Sequence, residues 1–393
     1  TLPNGNFLVK DSSYNQIDPP VWSISAVHLY DPQGVLISSL VGSGPNQDIG
    51  SHGIFVLASG HFVVCSGYWR NGPHDNAGAV TFGHAETGWG VGQVVPVSPD
   101  NSLVGSQEND QVGNGGITQL SNGHFVVNSS NWAGSRGAVT WCDGNTGLTG
   151  PVSAANSLVG SVTLDRVGAS VTALDNGHYV VRSPSWRYNS MSNVGAVTWC
   201  DGSTGATGPV TVENSLHGTS AGDLLGNGGI IPLTNNNYVV VSWFCSGGSV
   251  ITAGAVTWGN GSTGTTGPVT AAKSIRGSKL GDHVGLGQVK ALANGHYVVL
   301  SKSWDNDAVP DVGAVTWGNG ETGSAIVVAA SNSLIGTRTG DLEGNAYITT
   351  LRNGHYVVCS PVWDNGMAVN AGAVTWGNGY SGSSGPISAA NSI

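Results

Sequence analysis

Apolar residues in this chain come in short runs such as Tyr-Val-Val at 179–181, Ala-Val-Thr-Trp at 196–199 and Ser-Leu-Val at 157–159, each bounded by Gly, Asn, Ser or Asp. Runs this short, rich in β-branched and aromatic residues, predict strands, and no stretch shows a helical period. Within Ala-Val-Thr-Trp the alternation sends Val and Trp to one face of a pleated strand and Ala and Thr to the other. Large side chains of one sheet can then meet small ones of the next. The pattern recurs along the whole chain. Aligned on the leucine before each Asn-Gly-His-like turn, copies start at Leu2, Leu57, Leu120, Leu174, Leu233, Leu292 and Leu351, in steps of 55, 63, 54, 59, 59 and 59 residues. A period of this size marks a repeat architecture in which each copy buries its apolar faces on its neighbours.

Each copy divides into four strands. Strand 1 is of the type Val167 to Leu174, and the Asn-Gly-His turn follows it, with Asn176 and Gly177 suited to the positive φ of a tight hairpin. Strand 2 runs to Trp186, and strand 3 is Gly-Ala-Val-Thr-Trp, beginning at Gly78, Gly137, Gly195, Gly254, Gly313 and Gly372, with a worn version from Ser25 to Leu29. Strand 4 is the Gly-Pro-Val…Asn-Ser-Leu-Val-Gly stretch. The expected fold is all-β: a seven-bladed β-propeller of four-stranded antiparallel blades. It forms one closed domain over 1–393, with repeats at 1–56, 57–119, 120–173, 174–232, 233–291, 292–350 and 351–393. The first copy has no strand 1 of its own, so either ring closure draws on residues outside 1–393 or the first blade lacks its inner strand.

Antiparallel order puts the 1–2 and 3–4 hairpins on one face of such a disc and the 2–3 and 4–1 loops on the other. The first face is nearly uniform between copies. The second carries unlike 2–3 loops, at 70–77 (RNGPHDNA), 133–136 (AGSR), 187–194 (RYNSMSNV) and 305–312 (DNDAVPDV), and recognition is usually placed on loops released from the packing demands of a scaffold. Trp69, Trp132, Trp186, Trp304 and Trp363 end strand 2 at the mouths of these loops, with Tyr14 and Cys245 in their place in repeats 1 and 5. Packing accounts for them; beside Asp305, Asn306, Asp364 and Asn365 they can also stack on a sugar ring and bond its hydroxyls. These nine residues are the candidate ligand site. A second set, Trp141, Trp199, Trp258, Trp317 and Trp376 with Phe82 as the variant, ends strand 3 and is expected to pack between blades.

Other repeated residues read as structural. Asp48, Asp110, Asp165, Asp223, Asp282 and Asp341 precede strand 1 and are expected to accept hydrogen bonds from turn backbone. His61, His124, His178, His296 and His355 fill equivalent turns around a rim, where symmetry keeps them from converging on one metal ion. Gly259 to Gly264, and the stretches from Gly318 and Gly377, fit Gly-x-Gly-x-x-Gly but lead into strands, so they are hairpins rather than nucleotide loops.

Composition refines this picture. Gly at 62 residues and charged residues at 9% describe a turn-rich polar chain that still has the Val, Ile, Ala and Trp for a core. A net charge of −10 repels phosphate, which argues against nucleic acid. No apolar run is long enough for a membrane helix, and Thr1 falls inside a repeat, so the chain reads as a mature fragment. Five cysteines in repeated slots, among them Cys65, Cys142, Cys200 and Cys359, read as small buried filler, not as a disulfide framework or a zinc site.

The order Asp-x-Val-Gly, strand, turn, strand ending Ser-Pro, loop, Gly-Ala-Val resembles the FG-GAP repeat of integrin α-subunit propellers, with Val167 to Val171 in place of FG-x-SV and Ser183-Pro184 and Ser360-Pro361 where that family has Ala-Pro. The GAVTWGNG runs also resemble repeats of bacterial haemagglutinin- or adhesin-type surface proteins. The first likeness implies a propeller and the second a secreted or cell-surface setting. Calcium, which integrin-type blades bind in the 1–2 hairpin, is not carried over: Asp175-Asn176-Gly177-His178 is too short and too poor in oxygen ligands.

No nucleophile with its base, paired acid or other unique constellation stands out, and the one long insertion, 86–99, holds no obvious acid–base pair. The expectation is a non-enzymatic extracellular binding module, lectin-like or adhesin-like, without cofactor, whose partner is a glycan or cell-surface ligand. The alternative is a self-associating structural or matrix protein; an enzyme with a site in a central funnel ranks below both.

Overall fold

A computed structural model describes the chain apart from residues 16–23, 247–249 and 308, so Ala308 of the 305–312 loop lies outside the described residues. The chain is almost all-β; among the described residues only Trp132–Ser135 and Ala271–Lys273 make a helical turn. Two compact units are present, one of Thr1–Val181 with Cys200–Val210, the other of Arg182–Trp199 with Thr211–Ile393.

The first unit holds three whole sheets. Phe7–Asp11, Ala26–Tyr30 and Leu36–Val41 form the first; Ile54–Val56, Phe62–Ser66, Ala79–Gly83 and Ser102–Val104 the second; Ile117–Gln119, Phe125–Ser129, Ala138–Cys142 and Ser157–Val159 the third. The second unit repeats the plan with Gly229–Pro232, Tyr238–Ser242, Ala255–Gly259 and Ser274–Arg276, then with Gln288–Ala291, Tyr297–Ser301, Ala314–Gly318 and Ser333–Ile335. Its last sheet has Tyr347–Thr350, Tyr356–Ser360 and Ala373–Gly377, with a single bridge from Thr375 to Ser392. Sheets repeated in this way, each packed on the next within its unit, fit a propeller-like arrangement.

Strand 4 differs from expectation. What reads as one strand is two, separated by a turn that an asparagine side chain closes. Asn156 Oδ1 accepts from the Ser153 N–H at 2.9 Å and the Ser157 hydroxyl at 2.9 Å, while its Nδ2 donates to the Pro151 carbonyl at 3.0 Å. The second half, Ser157–Val159, completes its own sheet against Ala138–Cys142. The first half, Gly150–Pro151, leaves it and adds a parallel fifth strand to the preceding sheet at Leu103–Val104. The same handover joins Val94–Pro96, Gly208–Pro209, Gly267–Pro268, Ile326–Val327 and Gly385–Pro386 to the sheet before their own. A proline fits this outer position because no further strand needs its missing N–H.

The core lies between sheets. Val298, Leu300, Val315 and Leu334 of one sheet pack on Ile348, Tyr356, Val358 and Ala373 of the next, as the alternation requires. On the small face, Thr316 and Ser333 hydroxyls pair at 2.8 Å, and the same pair recurs as Thr81 with Ser102 and Thr140 with Ser157. The fully buried Tyr297 ring lies across the strand from Gly318, where an added Cβ would come within 2.2 Å of it. Cys142 takes that small slot opposite Phe125. Cys65, Cys142, Cys200 and Cys245 are buried as expected and Cys359 is half-buried; burial pushes the Cys65, Cys200 and Cys245 thiols up to about 12, so none is a ready nucleophile.

Candidate functional site

The 2–3 loops are held by the 4–1 segments of their own repeats. Asn109, Gln111 and Val112 N–H groups donate to the carbonyls of Asp75, Asn76 and Ala77, and Gly105 N–H to Gly78. These bonds keep the 2–3 loop and the 4–1 segment of that repeat at the same end of its sheet. Four loops are also tied to the preceding repeat by the repeated aspartate. Asp282 Oδ2 accepts from the Ser278 and Lys279 N–H groups at 2.7 and 2.8 Å, and its Oδ1 reaches the Asp305 N–H at 3.3 Å. Asp110, Asp223 and Asp341 do the same toward Ala133, Ser246 and Asp364. Asp48 does not. Its φ is 36° and its carboxylate pairs with Lys10 at 2.9 Å, while the buried Gln47 accepts from the Ser43 N–H in its stead. Counted back from the strand 1 glycine, Gln47 and not Asp48 is the counterpart of Asp110, three residues before Gly50 as Asp110 is before Gly113, and Asp48 matches Gln111, which also has positive φ.

The strand 2 tryptophans offer no open platform. Trp69, Trp186, Trp304 and Trp363 are only 2 to 5% exposed, and Trp132 is half-buried. Their rings lie in the core between sheets, since each follows directly on a strand that is itself buried. Stacking of a sugar on an exposed indole face is therefore replaced by a narrower geometry. Trp304 meets the surface at a cleft of about 390 Å³, together with Asp305, Asn306, Asp307 and Lys279, with Val327 to Ser331 forming the other wall. Lys279 Nζ donates to the Asp307 carbonyl at 2.7 Å and Asp305 Oδ1 accepts from the Asp311 N–H at 2.8 Å, which fixes the loop. The indole N–H of Trp304 is buried without a hydrogen-bond partner.

At the matching place in the last repeat the polar groups are already engaged. Arg338 donates to Asp364 at 2.9 Å and to the Gly366 carbonyl at 2.7 Å, and the Asn370 N–H donates to Asp364 at 2.8 Å. The Asn370 N–H, with Arg338 second, holds the Asp364 carboxyl below its ordinary range. In repeat 2, Arg70 pairs with Asp75. The loops are thus more alike than their sequences: Asn71 with His74, Tyr188 with Met191, Asn306 with Val309 and Asn365 with Ala368 form the same small bridge. Sequence reading brought together Trp304, Asp305 and Asn306 but missed Lys279 and the 327–331 wall, because these belong to the 4–1 turn and to a strand handed over from the same repeat. The lysine two residues after Gly277 was the available signal.

On the opposite face the histidines serve the hairpins. Gly320 N–H donates to His296 Nδ1 at 3.2 Å, and Gly144, Gly202 and Gly379 do so to His124, His178 and His355. Asn237 Oδ1 takes the role in repeat 5, at 3.1 Å from Gly261 N. The Gly320 N–H needs an unprotonated His296 Nδ1, and burial lowers the pKa of His296. The insertion in repeat 2 alters one of these turns. His84 brings its ring 4.9 Å from that of His61, and both line a cleft of about 420 Å³ with Glu86, Pro3 and Asn4. Burial, with His84 next, lowers the His61 pKa. Among the described residues no group of three or more His, Cys, Asp or Glu is placed to hold a metal ion.

Residues 56–114, 119–169, 173–227, 232–286, 291–345 and 350–393 each match the family described as a repeat of unknown function (DUF5650). These six copies cover most of the chain, and it belongs to that family. No curated protein matches it. Among solved structures, a crystal structure of puromycin hydrolase aligns with a TM-score of 0.27 at 11% identity, over 93% of this chain and 58% of the other. The chain thus spans little more than half of that protein's length, and so low a score establishes no common fold.

Proposed function

We propose that this DUF5650-repeat chain is a non-enzymatic binding module, secreted or displayed on a cell surface, whose seven sheets act as the blades of a propeller-like scaffold and whose 2–3 loops bind a neutral, hydroxyl-rich ligand of the glycan class. The cleft at Trp304, Asp305, Asn306, Asp307 and Lys279 carries this reading. It combines an apolar wall with several short polar groups on a loop fixed by backbone bonds, which is the composition that suits a sugar: one face for C–H groups, an edge for hydroxyls. Weak single-site binding is the expectation for so open a cleft, strengthened when several molecules present it together.

Saturation-transfer NMR with a mixed saccharide panel tests the proposal. Transfer to at least one saccharide in the wild type, lost in Asp305→Ala/Asn306→Ala with an unchanged melting temperature, supports it. A folded wild type silent to every member, in NMR and on glycan arrays alike, refutes it.

A further inference from the structure

The hairpins between strands 3 and 4 share one device, and repeat 2 lacks it. In repeat 3, Asp143 Oδ1 accepts from the Asn145 and Thr146 N–H groups at 2.8 and 3.2 Å, and its other oxygen lies 3.8 Å from His124 Nδ1. Asn260 and Asn319 hold the same two N–H groups of their own turns, and Asp201 and Asn378 hold the first of them. Successive N–H groups of a tight turn converge on one point, and a side-chain oxygen placed there satisfies both.

Repeat 2 builds the same turn without that oxygen. His84 and Gly88 form the bridge that Asp143 and Gly147 form, with the glycine N–H closing it at 2.8 Å in both. The Ala85 N–H donates to His61 Nδ1 at 3.2 Å, as the Gly144 N–H does to His124. The His84 side chain is an imidazole, and its ring packs against Phe82 and His61 with centroids 5.2 and 4.9 Å away. The Glu86 and Thr87 N–H groups are therefore left with no acceptor among the described residues, and both residues are exposed. They line the cleft of about 420 Å³ together with His61, His84 and Ser59. Because His61 accepts on Nδ1, its ring proton sits on Nε2 as a further donor. Asn4 and Asn6 fix the turn by donating to the Ala85 carbonyl at 3.0 and 2.8 Å.

We propose that this cleft binds the carboxylate of a small ligand, with one oxygen on the Glu86 and Thr87 N–H groups in the place that Asp143 Oδ1 takes in repeat 3. The donors are preorganised, since the chain fills the same point elsewhere with its own carboxylate or amide. Two sources share this chemistry: a uronic acid, whose hydroxyls meet Ser59, Thr87 and Glu86, and an α-amino acid, whose ammonium group meets the Glu86 carboxylate. A net charge of −10 gives an anion no long-range attraction, so binding depends on the local donors. The cleft shares no residue with the one at Trp304, and the failure of either reading leaves the other standing.

Amide NMR titration at neutral pH with glucuronate, glycine and, as the neutral control, methyl glucoside is the test. The Glu86 and Thr87 resonances shift and saturate with glucuronate or with glycine, which identifies the source, and stay in place with methyl glucoside. His84→Asp rebuilds the turn of repeat 3 and satisfies both donors from within. Its melting temperature is kept or raised while affinity for the carboxylate falls by about tenfold or more, the worth of a hydrogen bond to a charged group. His84→Ala removes the ring but supplies no oxygen, and retains binding. Resonances silent to both carboxylates, equal shifts with methyl glucoside, or binding that survives His84→Asp overturns the proposal. So does loss of binding in a folded His84→Ala, which would move recognition from the turn backbone to the imidazole.

Discussion

Ala314–Gly318 and Ala373–Gly377 have the same sequence, Ala-Val-Thr-Trp-Gly, and each pairs antiparallel with the strand 2 of its own repeat, yet Val315 is fully buried and Val374 is 41% exposed. Both strands are made by the same local rules. Whether the apolar face is a core or a surface depends on the next sheet, because hydrophobic stabilisation scales with area removed from water and not with the residue's identity. The repeat therefore stores its stability in the contacts between copies, as linear repeat arrays do.

The sharpest way to break the comparison is to truncate the two tryptophans. Trp317→Ala removes interlocked ring area and the bond to Gly379, and is expected to lower unfolding free energy by about 3 kcal/mol in urea titration. In monomeric protein Trp376→Ala is expected to cost no more than about 0.5 kcal/mol, the range of ordinary surface changes. Equal costs would mean that the Trp376 face is covered.

A smaller contrast lies at the turn before strand 1. Asp282→Ala strands the backbone donors of Ser278, Lys279 and Asp305 and should cost about 2 kcal/mol. Asp48→Ala removes only a surface ion pair with Lys10, for about 0.5 kcal/mol or less. Smaller again is Asn294→Ala, which deletes the bond its Nδ2 donates to the Gly379 carbonyl and the one its Oδ1 accepts from the His296 N–H, and should cost about 1 kcal/mol; Asn353→Ala, in the last repeat, deletes only the bond accepted from the His355 N–H and should cost about half as much.

The smallest effect is on pH dependence. His296 accepts the Gly320 N–H as the neutral ring and its pKa in the folded chain is lowered by burial. The unfolded chain then binds the proton more readily. The contribution is complete above the ordinary value of about 6.5 and is lost as pH falls below it through the lowered folded value. His296→Asn, copying Asn237, should keep the bond and flatten the fall in melting temperature between neutral and mildly acidic pH. An unchanged slope would remove His296 from the account.

Much of this was legible in the chain. Strand order, the hairpin roles of the histidines, the packing role of Trp141 to Trp317 and the turn-closing aspartates all repeat at fixed offsets, and local geometry suffices to explain them. The split of strand 4 was not legible, since Gly-Pro-Val pairs with a strand from the preceding repeat and the turn between its halves depends on a side chain, Asn156, that looks like any other loop residue. Asp48 was distinguishable by its spacing, two residues before the strand 1 glycine where the others stand three before theirs, and the role falls to Gln47 at the aligned position. The strand 2 tryptophans look alike in sequence and all but the half-buried Trp132 are buried, and a platform on loop mouths could not be told from a core position without knowing which way the neighbouring sheet faces.

Sequence by itself determined the period, the strands, the hairpins and the identity of the large and small faces, because each follows from the alternation and turn chemistry of a few neighbouring residues. Tertiary structure alone decided which faces are covered, which repeat receives each Gly-Pro strand, and why polar groups at 305–307 line a cleft while those at 364–366 are bound by Arg338. Those outcomes rest on contacts between segments more than twenty residues apart, or between whole copies of the repeat, and no local pattern encodes which partner arrives.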